Sequence, residues 1–374
     1  MKAIIHGRIL LPDREETGAA LLFDGKIRGL SAEVPADCEI IDAEGAYVSP
    51  GFVDVHIHGY RGADASDGDP EGLRTMARGI LRNGVTSFLP TTMTVPWEEL
   101  ERAFDTIRAV MPESREKGFG GAEILGCHAE GPFINPKRKG AQKEEAILPP
   151  EAERILRHGD LIRLITLAPE MPGALACIEA LSGRMAVSVG HTDADYETCR
   201  KAERAGANHY THLFNAMTGL SHRQPGAVGA ALTGKGYCEL IADTFHVHPD
   251  LFPMVRACQG DRLTLITDCT RAGGLGDGEY SLGGQPIFVQ GIACRLKDGT
   301  IAGSVLKMND AVRNYREHAG VPLYEAAACA SLHPAESIGM ADRKGSLLPG
   351  RDADILLMDG DCGIRKVFLR GEEA

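Results

Sequence analysis

The sequence predicts an α/β protein whose main body is a (β/α)8 TIM barrel, with a small β-sandwich domain built from both termini. Two observations support this prediction. In the middle of the chain, eight apolar strand-like runs alternate with helical patterns, and such alternation indicates parallel β-α units. At both ends of the chain, short strand-like runs occur with turn signals, and neither end is long enough to form a robust sheet alone.

The elements of the sandwich are short and lie near the termini. The strand-like runs are Gly7–Leu11, Ala19–Phe23, Lys26–Leu30, Ala353–Met358 and Lys366–Arg370. Asp24-Gly25, between two of them, is a strong hairpin signal. The simplest solution packs the two ends together. We therefore expect residues 1–52 and 343–374 to form the sandwich and residues 53–342 to form the barrel.

The barrel elements follow in order along the chain. The predicted strands are Phe52–Ile57, Val85–Pro90, Glu123–Cys127, Leu161–Leu167, Ala186–Val189, His209–Leu213, Cys238–Ala242 and Leu263–Thr267. Predicted helices between them include Pro70–Asn83, Trp97–Met111, Pro172–Leu181, Asp195–Ala205 and His248–Gln259. An open doubly wound sheet is the alternative, but no G-x-G-x-x-G motif follows the first strand to support it.

Composition and charge narrow the class of protein. Hydrophobic residues make up 43% of the chain and charged residues 25%, which is ordinary for a globular enzyme. The chain has 45 glycines, which fits many tight strand-to-helix loops. The net charge is −12 without a lysine/arginine block, so we expect neither nucleic acid nor membrane as a partner. A phosphorylated metabolite remains possible if local cations bind it.

Cysteine usage and the N-terminal residues indicate the cellular compartment. The ten cysteines are scattered and include no C-x-x-C pair. Residues 1–8 lack the apolar region of a signal peptide, and no segment approaches the length of an apolar membrane span. We therefore expect a cytoplasmic protein with reduced thiols.

The first barrel strand ends in residues suited to a metal. Because side chains alternate along a strand, Asp54, His56 and His58 share one face. Two imidazoles on one face suit a divalent metal ion. The alternative is a half-buried strand with surface histidines, and this motif alone does not decide between them.

Polar residues also occur where four later strands end. Glu130 follows the third predicted strand, His191 the fifth, His212 ends the sixth and Asp268 ends the eighth. Each one alone could be a hydrogen-bonding or capping residue. In a barrel, however, strand ends converge on one axis, so the set predicts a catalytic metal site with open coordination. The long segment 130–150, rich in Lys, Gly and Pro, is predicted to be an active-site loop.

Several of these stretches together resemble the amino-sugar 6-phosphate deacetylases of the amidohydrolase superfamily, over essentially the full chain. The matching stretches are Pro50–Gly59, Glu130–Asn135, Val189–Thr192, Thr211–Met217, Ile241–His246, Leu265–Asp268 and Lys344–Asp354. The H-x-H motif and the last stretch identify only the superfamily. Asn215-Ala216-Met217 after His212, with Glu130 as a ligand, is typical of the deacetylases.

The resemblance implies roles for individual residues. Glu130, His191 and His212 resemble the metal ligands, His56 and His58 the ligands of members with a second metal, and Asp268 the catalytic acid/base. The residues that resemble substrate contacts are Ala141, Gln142, Asn215, Ala216, Arg223, His246, Ile301, Ala302 and Gly303. Gln142 departs from the pattern, because some relatives have His there; glutamine can donate a hydrogen bond but carries no charge.

The implied function is metal-dependent hydrolysis of the acetamido group of N-acetyl-D-glucosamine 6-phosphate, which gives glucosamine 6-phosphate and acetate. One or two divalent ions per subunit are implied, with zinc favoured and Fe²⁺ or another divalent metal possible, in a homodimer. Close alternatives are a deacetylase for the galactosamine isomer and a cyclic-amide hydrolase. The latter usually bridges two metals with a modified lysine, against which Glu130 argues. An alternative of a different class is a scaffold barrel without catalysis, but the residues that such a protein would have lost are present.

Overall fold

A computed structural model describes all 374 residues, and the predicted barrel forms its centre. The eight barrel strands are Phe52–Ile57, Val85–Thr92, Cys127–Glu130, Ile162–Leu167, Ala186–Val189, His209–Tyr210, Tyr237–Ile241 and Leu263–Ile266. Each pairs in parallel with the next. Between the eighth and first strands, the backbone N–H of Asp268 donates to the His56 carbonyl at 2.8 Å. The carboxyl ends of all the strands therefore meet at one mouth.

Helices surround the barrel and continue after its last strand. They are Pro70–Leu81, Trp97–Glu113, Ala152–Leu156, Ala174–Leu181, Tyr196–Ala205, Gly226–Thr233, Phe252–Gln259, Met308–Ala319, Leu323–Ala330 and Leu332–Ser337. The first begins with a proline, and its N-cap Asp69 accepts a hydrogen bond from the Glu71 N–H, as its sequence favours. The five predicted helices are confirmed, with ends displaced by a few residues.

Two further sheets form the predicted sandwich. One contains Ile27–Ser31, Ala20–Phe23, Lys2–Ile5 and Glu39–Asp42, and the other contains Glu372–Glu373, Ile364–Leu369, Ile355–Met358, Tyr47–Pro50, Arg8–Leu10 and Glu15–Glu16. The second sheet joins the termini, because Ile355–Met358 pairs antiparallel with Tyr47–Pro50. Phe23 and Phe368 meet edge to face at 5.8 Å within the sandwich core. The fold class is confirmed, while the boundaries at residues 52 and 342 stay a prediction.

The structure differs from the sequence prediction at four places. The third predicted strand is split into Glu123–Ile124 and Cys127–Glu130, because Gly126 adopts a φ of 151° between them. The sixth strand ends at Tyr210, before His212. The sequence analysis also missed an antiparallel sheet of strands Gly278–Leu282, Gln285–Gln290 and Ala293–Leu296 that follows the barrel, and a short hairpin of Gly59–Tyr60 and Ala63–Asp64.

Two observations concern the chain as a whole. None of the helices combines the length and apolar character needed to cross a membrane. The ten cysteines are all free thiols, and most are buried.

Candidate metal-dependent active site

The two predicted histidines at later strand ends and Asp268 occupy an unusual backbone conformation. His191 has a φ of 47°, His212 of 29° and Asp268 of 48°. A positive φ is uncommon for residues other than glycine, and such residues cluster at functional sites. Each one lies just after a barrel strand, so the turn of the backbone directs its side chain into the mouth of the barrel.

The first candidate ligand group consists of Glu130, His191 and His212. Glu130 Oε1 lies 3.1 Å from the Nε2 atom of each histidine, and the two Nε2 atoms are 3.1 Å apart. All three side chains are almost fully buried. The sequence analysis predicted this convergence, which requires three different strand ends.

The second group, His56 and His58, shares Glu130 with the first. The two Nε2 atoms are 3.4 Å apart, and His58 Nε2 lies 3.3 Å from Glu130 Oε2. Asp268 completes this side, with Oδ1 3.2 Å from His58 Nε2. Glu130 therefore stands between the two groups, and each of its oxygens faces histidine nitrogens.

The hydrogen bonds of the rings show that this donor set fits a metal ion. The Nδ1 atoms of His58, His191 and His212 contact backbone carbonyl oxygens at 3.1, 2.8 and 3.1 Å. A carbonyl only accepts, so each ring carries a proton on Nδ1 and directs the other nitrogen toward Glu130. Neighbouring nitrogen lone pairs and a carboxylate at these distances repel one another unless a proton or a metal ion lies between them. We conclude that the residues suit one or two divalent cations.

The charges of the site also favour a bound cation. Burial lowers the pKa of His58, but hydrogen bonds and charges from Asp268 and Glu130 outweigh it and raise the pKa to about 10. Burial raises the pKa of Asp268, yet His56 and His58 lower it to about 2, so this carboxylate is ionised at neutral pH. The pocket thus strongly favours positive charge among its carboxylates.

Gln142 contacts a ligand of the first group. Its side-chain amide donates to Glu130 Oε2, and its oxygen accepts from the Thr94 backbone N–H at 2.6 Å. The side chain is buried. Gln142 therefore holds the Glu130 carboxylate in place with a neutral amide.

A cavity of about 580 Å³ opens above the two groups, within the range of small-molecule sites. It is lined by seven of the residues that the sequence predicts to contact substrate, namely Ala141, Gln142, Asn215, Ala216, His246, Ile301 and Gly303. Ala302 is fully buried behind the wall. Gly303 has a φ of 59°, and a Cβ there would lie 2.9 Å from the Asp268 carbonyl, so this close approach requires glycine.

The fold does not bring Arg223, another predicted site residue, to the cavity of its own chain. It is exposed and lines a separate surface depression together with Asp193, Asp195 and Glu197. His246 does reach the cavity, and its Nδ1 lies 2.6 Å from Asp243 Oδ2.

The sequence analysis missed some residues of the site. The loop residues Lys137, Arg138 and Lys139 line the cavity, and only the lysine-rich composition of the loop pointed to them. Gln285, from the unpredicted sheet, donates to the Ala141 carbonyl at 2.7 Å and holds the same loop. Glu239 lies beneath His56. The only feature of the sequence that pointed to it is that it is a single charged residue in an apolar strand.

Comparison with known proteins identifies the class that this fold and site define. The sequence profile of the Amidohydrolase family matches residues 47–374. The chain therefore belongs to the amidohydrolase family, and membership of this family implies a divalent metal.

Individual relatives narrow the comparison. The chain is 41% identical to N-acetylglucosamine-6-phosphate deacetylase of Bacillus subtilis (strain 168) over 96% of this chain and 93% of that protein. It is 37% identical to N-acetylgalactosamine-6-phosphate deacetylase of Escherichia coli O157:H7, over 94% and 93%. The crystal structure of N-acetylglucosamine-6-phosphate deacetylase from Pasteurella multocida superimposes with a TM-score of 0.94 at 30% identity, over 100% of this chain and 99% of that one.

Proposed function

We propose that this chain hydrolyses the acetamido group of N-acetyl-D-glucosamine 6-phosphate to D-glucosamine 6-phosphate and acetate, in amino-sugar catabolism. The observation that carries the proposal is the meeting of Glu130, four histidines and Asp268 at the base of one polar cavity. The similarity to deacetylases over nearly the whole chain supports the choice of reaction and substrate.

The chemistry requires a base that later acts as an acid. Glu130 and the histidines would hold a divalent ion, which would supply the Lewis-acid chemistry that activates water and polarises an amide carbonyl. Asp268, ionised at neutral pH as aspartate ordinarily is, accepts the proton of the attacking water. The same carboxyl then donates that proton to the departing amine nitrogen. Its Oδ1 lies 3.2 Å from His58 Nε2, and Asp268 lines the cavity, which supports this role.

The sugar phosphate needs binding partners in the cavity. Gln142 keeps the Glu130 carboxylate oriented, and the loop that carries it closes one side of the cavity. His246 directs its free ring nitrogen away from Asp243, which holds the other nitrogen. We assign His246, Asn215 and Ala216 to sugar-phosphate binding.

The phosphate needs cations in a chain with a net charge of −12. Lys137 and Arg138 already pair with Asp193, whereas Lys139 lines the cavity without an ion pair. Arg223 lies outside the cavity of its own chain, so we propose that it reaches the phosphate in the cavity of a second subunit of a homodimer. Arginine matches phosphate oxygens with two parallel donors.

We further propose zinc as the metal and the cytoplasm as the compartment. Histidine nitrogens with a carboxylate oxygen are ligands that zinc prefers, although Fe²⁺ binds similar sets. Ten free cysteines suit a reducing compartment.

A second candidate substrate is N-acetylgalactosamine 6-phosphate, which differs in one hydroxyl group. The similarity to the Escherichia coli O157:H7 protein favours it. A cyclic-amide hydrolase is less favoured, because Glu130 occupies the position between the two histidine groups that a modified lysine would take.

The test is acetate release by the purified, zinc-loaded protein from both epimeric sugar phosphates and from unphosphorylated N-acetylglucosamine. We expect the highest kcat/KM with N-acetylglucosamine 6-phosphate, and loss of activity after chelation that zinc restores. If neither sugar phosphate releases acetate, the proposal is wrong. A preference for the galactosamine isomer would select the second candidate.

A further inference from the structure

A fully buried carboxylate, Glu239, lies beneath the two metal-ligand groups. It belongs to the barrel strand Tyr237–Ile241. Its Oε2 atom lies 2.9 Å from His56 Nδ1 and accepts a hydrogen bond from the His212 backbone N–H at 3.0 Å. One oxygen atom therefore contacts a member of each group.

The contact with His56 differs from those of the other ligand rings. His58, His191 and His212 each pair Nδ1 with a neutral backbone carbonyl. Only His56 pairs Nδ1 with a carboxylate. A carboxylate in this position fixes the proton on Nδ1 and makes the opposite nitrogen a stronger donor to a metal.

Stability does not explain a carboxylate here. The second oxygen, Oε1, has no hydrogen-bond partner, and Nδ1 of His209 lies 3.8 Å from it. Both ring nitrogens of His209 are also unpartnered. Buried polar atoms without partners destabilise a protein. The role of Glu239 must therefore lie in the contacts of its other oxygen.

We propose that Glu239 is the positioning residue of the second metal position, formed by His56, His58 and Glu130. Through His56 Nδ1 it sets the affinity of that position relative to the one formed by Glu130, His191 and His212. This inference rests on the metal dependence of the proposed function, but not on the identity of the substrate.

The test compares Glu239→Gln with the wild type by metal binding. Glutamine keeps the size of the side chain and an oxygen that can accept both hydrogen bonds, and it replaces the charged carboxylate with a neutral amide. The full-length proteins are stripped with a chelator and dialysed against buffered free Zn²⁺, and bound zinc is measured by elemental analysis. Titration with Co²⁺, followed by its absorption spectrum, resolves the two positions.

We expect the wild type to bind two equivalents. In Glu239→Gln the first equivalent should bind within about threefold of wild type, and the second about 10- to 100-fold more weakly, as for other outer partners of metal ligands. His56→Ala marks complete loss of the second position. Glu203→Gln is the matched control, because Glu203 accepts from the Tyr210 hydroxyl outside the site, and its zinc binding should equal that of wild type.

Three results would overturn the proposal. These are wild-type affinity for both equivalents in Glu239→Gln, an equal loss of both affinities, or a wild type that binds a single equivalent. An equal loss would mean that Glu239 supports the barrel as a whole. A wild type that binds two metals but releases no acetate would overturn the proposed function and leave this inference intact.

Discussion

Glu130 is the residue on which both candidate metal positions depend. Its Oε1 faces His191 and His212, and its Oε2 faces His58. Because one carboxylate serves both groups, removal of a histidine from one group leaves Glu130 available to the other. Substitutions on the two sides should therefore have different consequences.

His212→Ala should lose the metal of the first position, formed by Glu130, His191 and His212, together with activity, because three protein ligands leave little redundancy. His56→Ala should retain the first metal and lose less activity. Elemental analysis and kcat measure both effects, and His248→Ala, at an exposed position, is the control. Equal metal-to-protein ratios in wild type and His212→Ala would contradict the ligand assignment.

Asp268→Asn should keep its metal and its fold but react slowly. Asparagine preserves the shape of the side chain and cannot exchange the proton, and loss of a general acid/base costs ~10²–10⁴-fold in rate. The measurements are kcat with the phosphorylated sugar and zinc content, with Asp250→Asn as an exposed control. A kcat near that of wild type would exclude Asp268 as the acid/base.

At the scale of elements, a buried ion cluster joins the barrel to the C-terminal segment. Lys344 Nζ lies 2.7 Å from Glu123 and from Asp354, and 3.0 Å from Asp352. Glu123 belongs to a short strand that pairs with the second barrel strand, and Arg343 contacts it at 2.6 Å. The cluster therefore holds the C-terminal part of the sandwich against the barrel.

Lys344→Met should destabilise the protein by about 3–5 kcal/mol, because it leaves several carboxylates buried with too little positive charge. Urea unfolding measures the change in free energy. Lys366→Met is the matched control, because Lys366 is half-exposed and pairs with Glu373, so its loss should cost at most about 1 kcal/mol. Equal destabilisation of the two variants would refute a structural role for the cluster.

The same cluster predicts a loss of stability in acid. Burial raises the pKa of Asp352 and of Glu123, but Lys344 and Arg343 outweigh it and hold both pKa values below their ordinary range. Their stabilising effect is complete above the unfolded pKa, about 4, and is lost as the pH falls toward the folded values. Unfolding at pH 5 and pH 3 should show a steeper loss for wild type than for Lys344→Met.

The strand ends were predictable from sequence, and the contacts between distant segments were not. Alternation places His56 and His58 on one face, and the barrel geometry brings Glu130 to them. No local pattern indicates that Gln285 holds Ala141, because 144 residues separate them and the sheet that carries Gln285 was missed. Glu239 gave only a weak signal, since its function depends on a ring contributed by the first strand.

At the scale of the whole molecule, the question is which cations can bind a phosphate in the cavity. The cavity contains the loop cations at 137–139, and Arg223 lies exposed in another depression with three carboxylates nearby. We propose that Arg223 binds the phosphate in the cavity of a second copy of the chain. The alternative is that Arg223 acts in the cavity of its own chain.

Arg223→Ala should lower kcat/KM for the 6-phosphorylated sugar about 10- to 150-fold, since hydrogen bonds to charged groups contribute ~1.5–3 kcal/mol. The unphosphorylated sugar should be affected far less. Equal losses with both sugars would mean that Arg223 shapes its loop and does not bind phosphate.

Mixed dimers of Arg223→Ala and Asp268→Asn subunits then decide which subunit Arg223 serves. If Arg223 crosses the interface, a mixed dimer contains one site with both Asp268 and a partner's arginine, so co-expression should restore activity that neither variant has alone. If it acts within its own chain, no site in the mixed dimer is complete and activity stays low. Affinity tags of two kinds isolate the mixed species, and light scattering verifies that it is a dimer. A monomeric wild type with full activity would exclude the crossed arrangement, because every residue that the reaction needs would then have to come from a single chain.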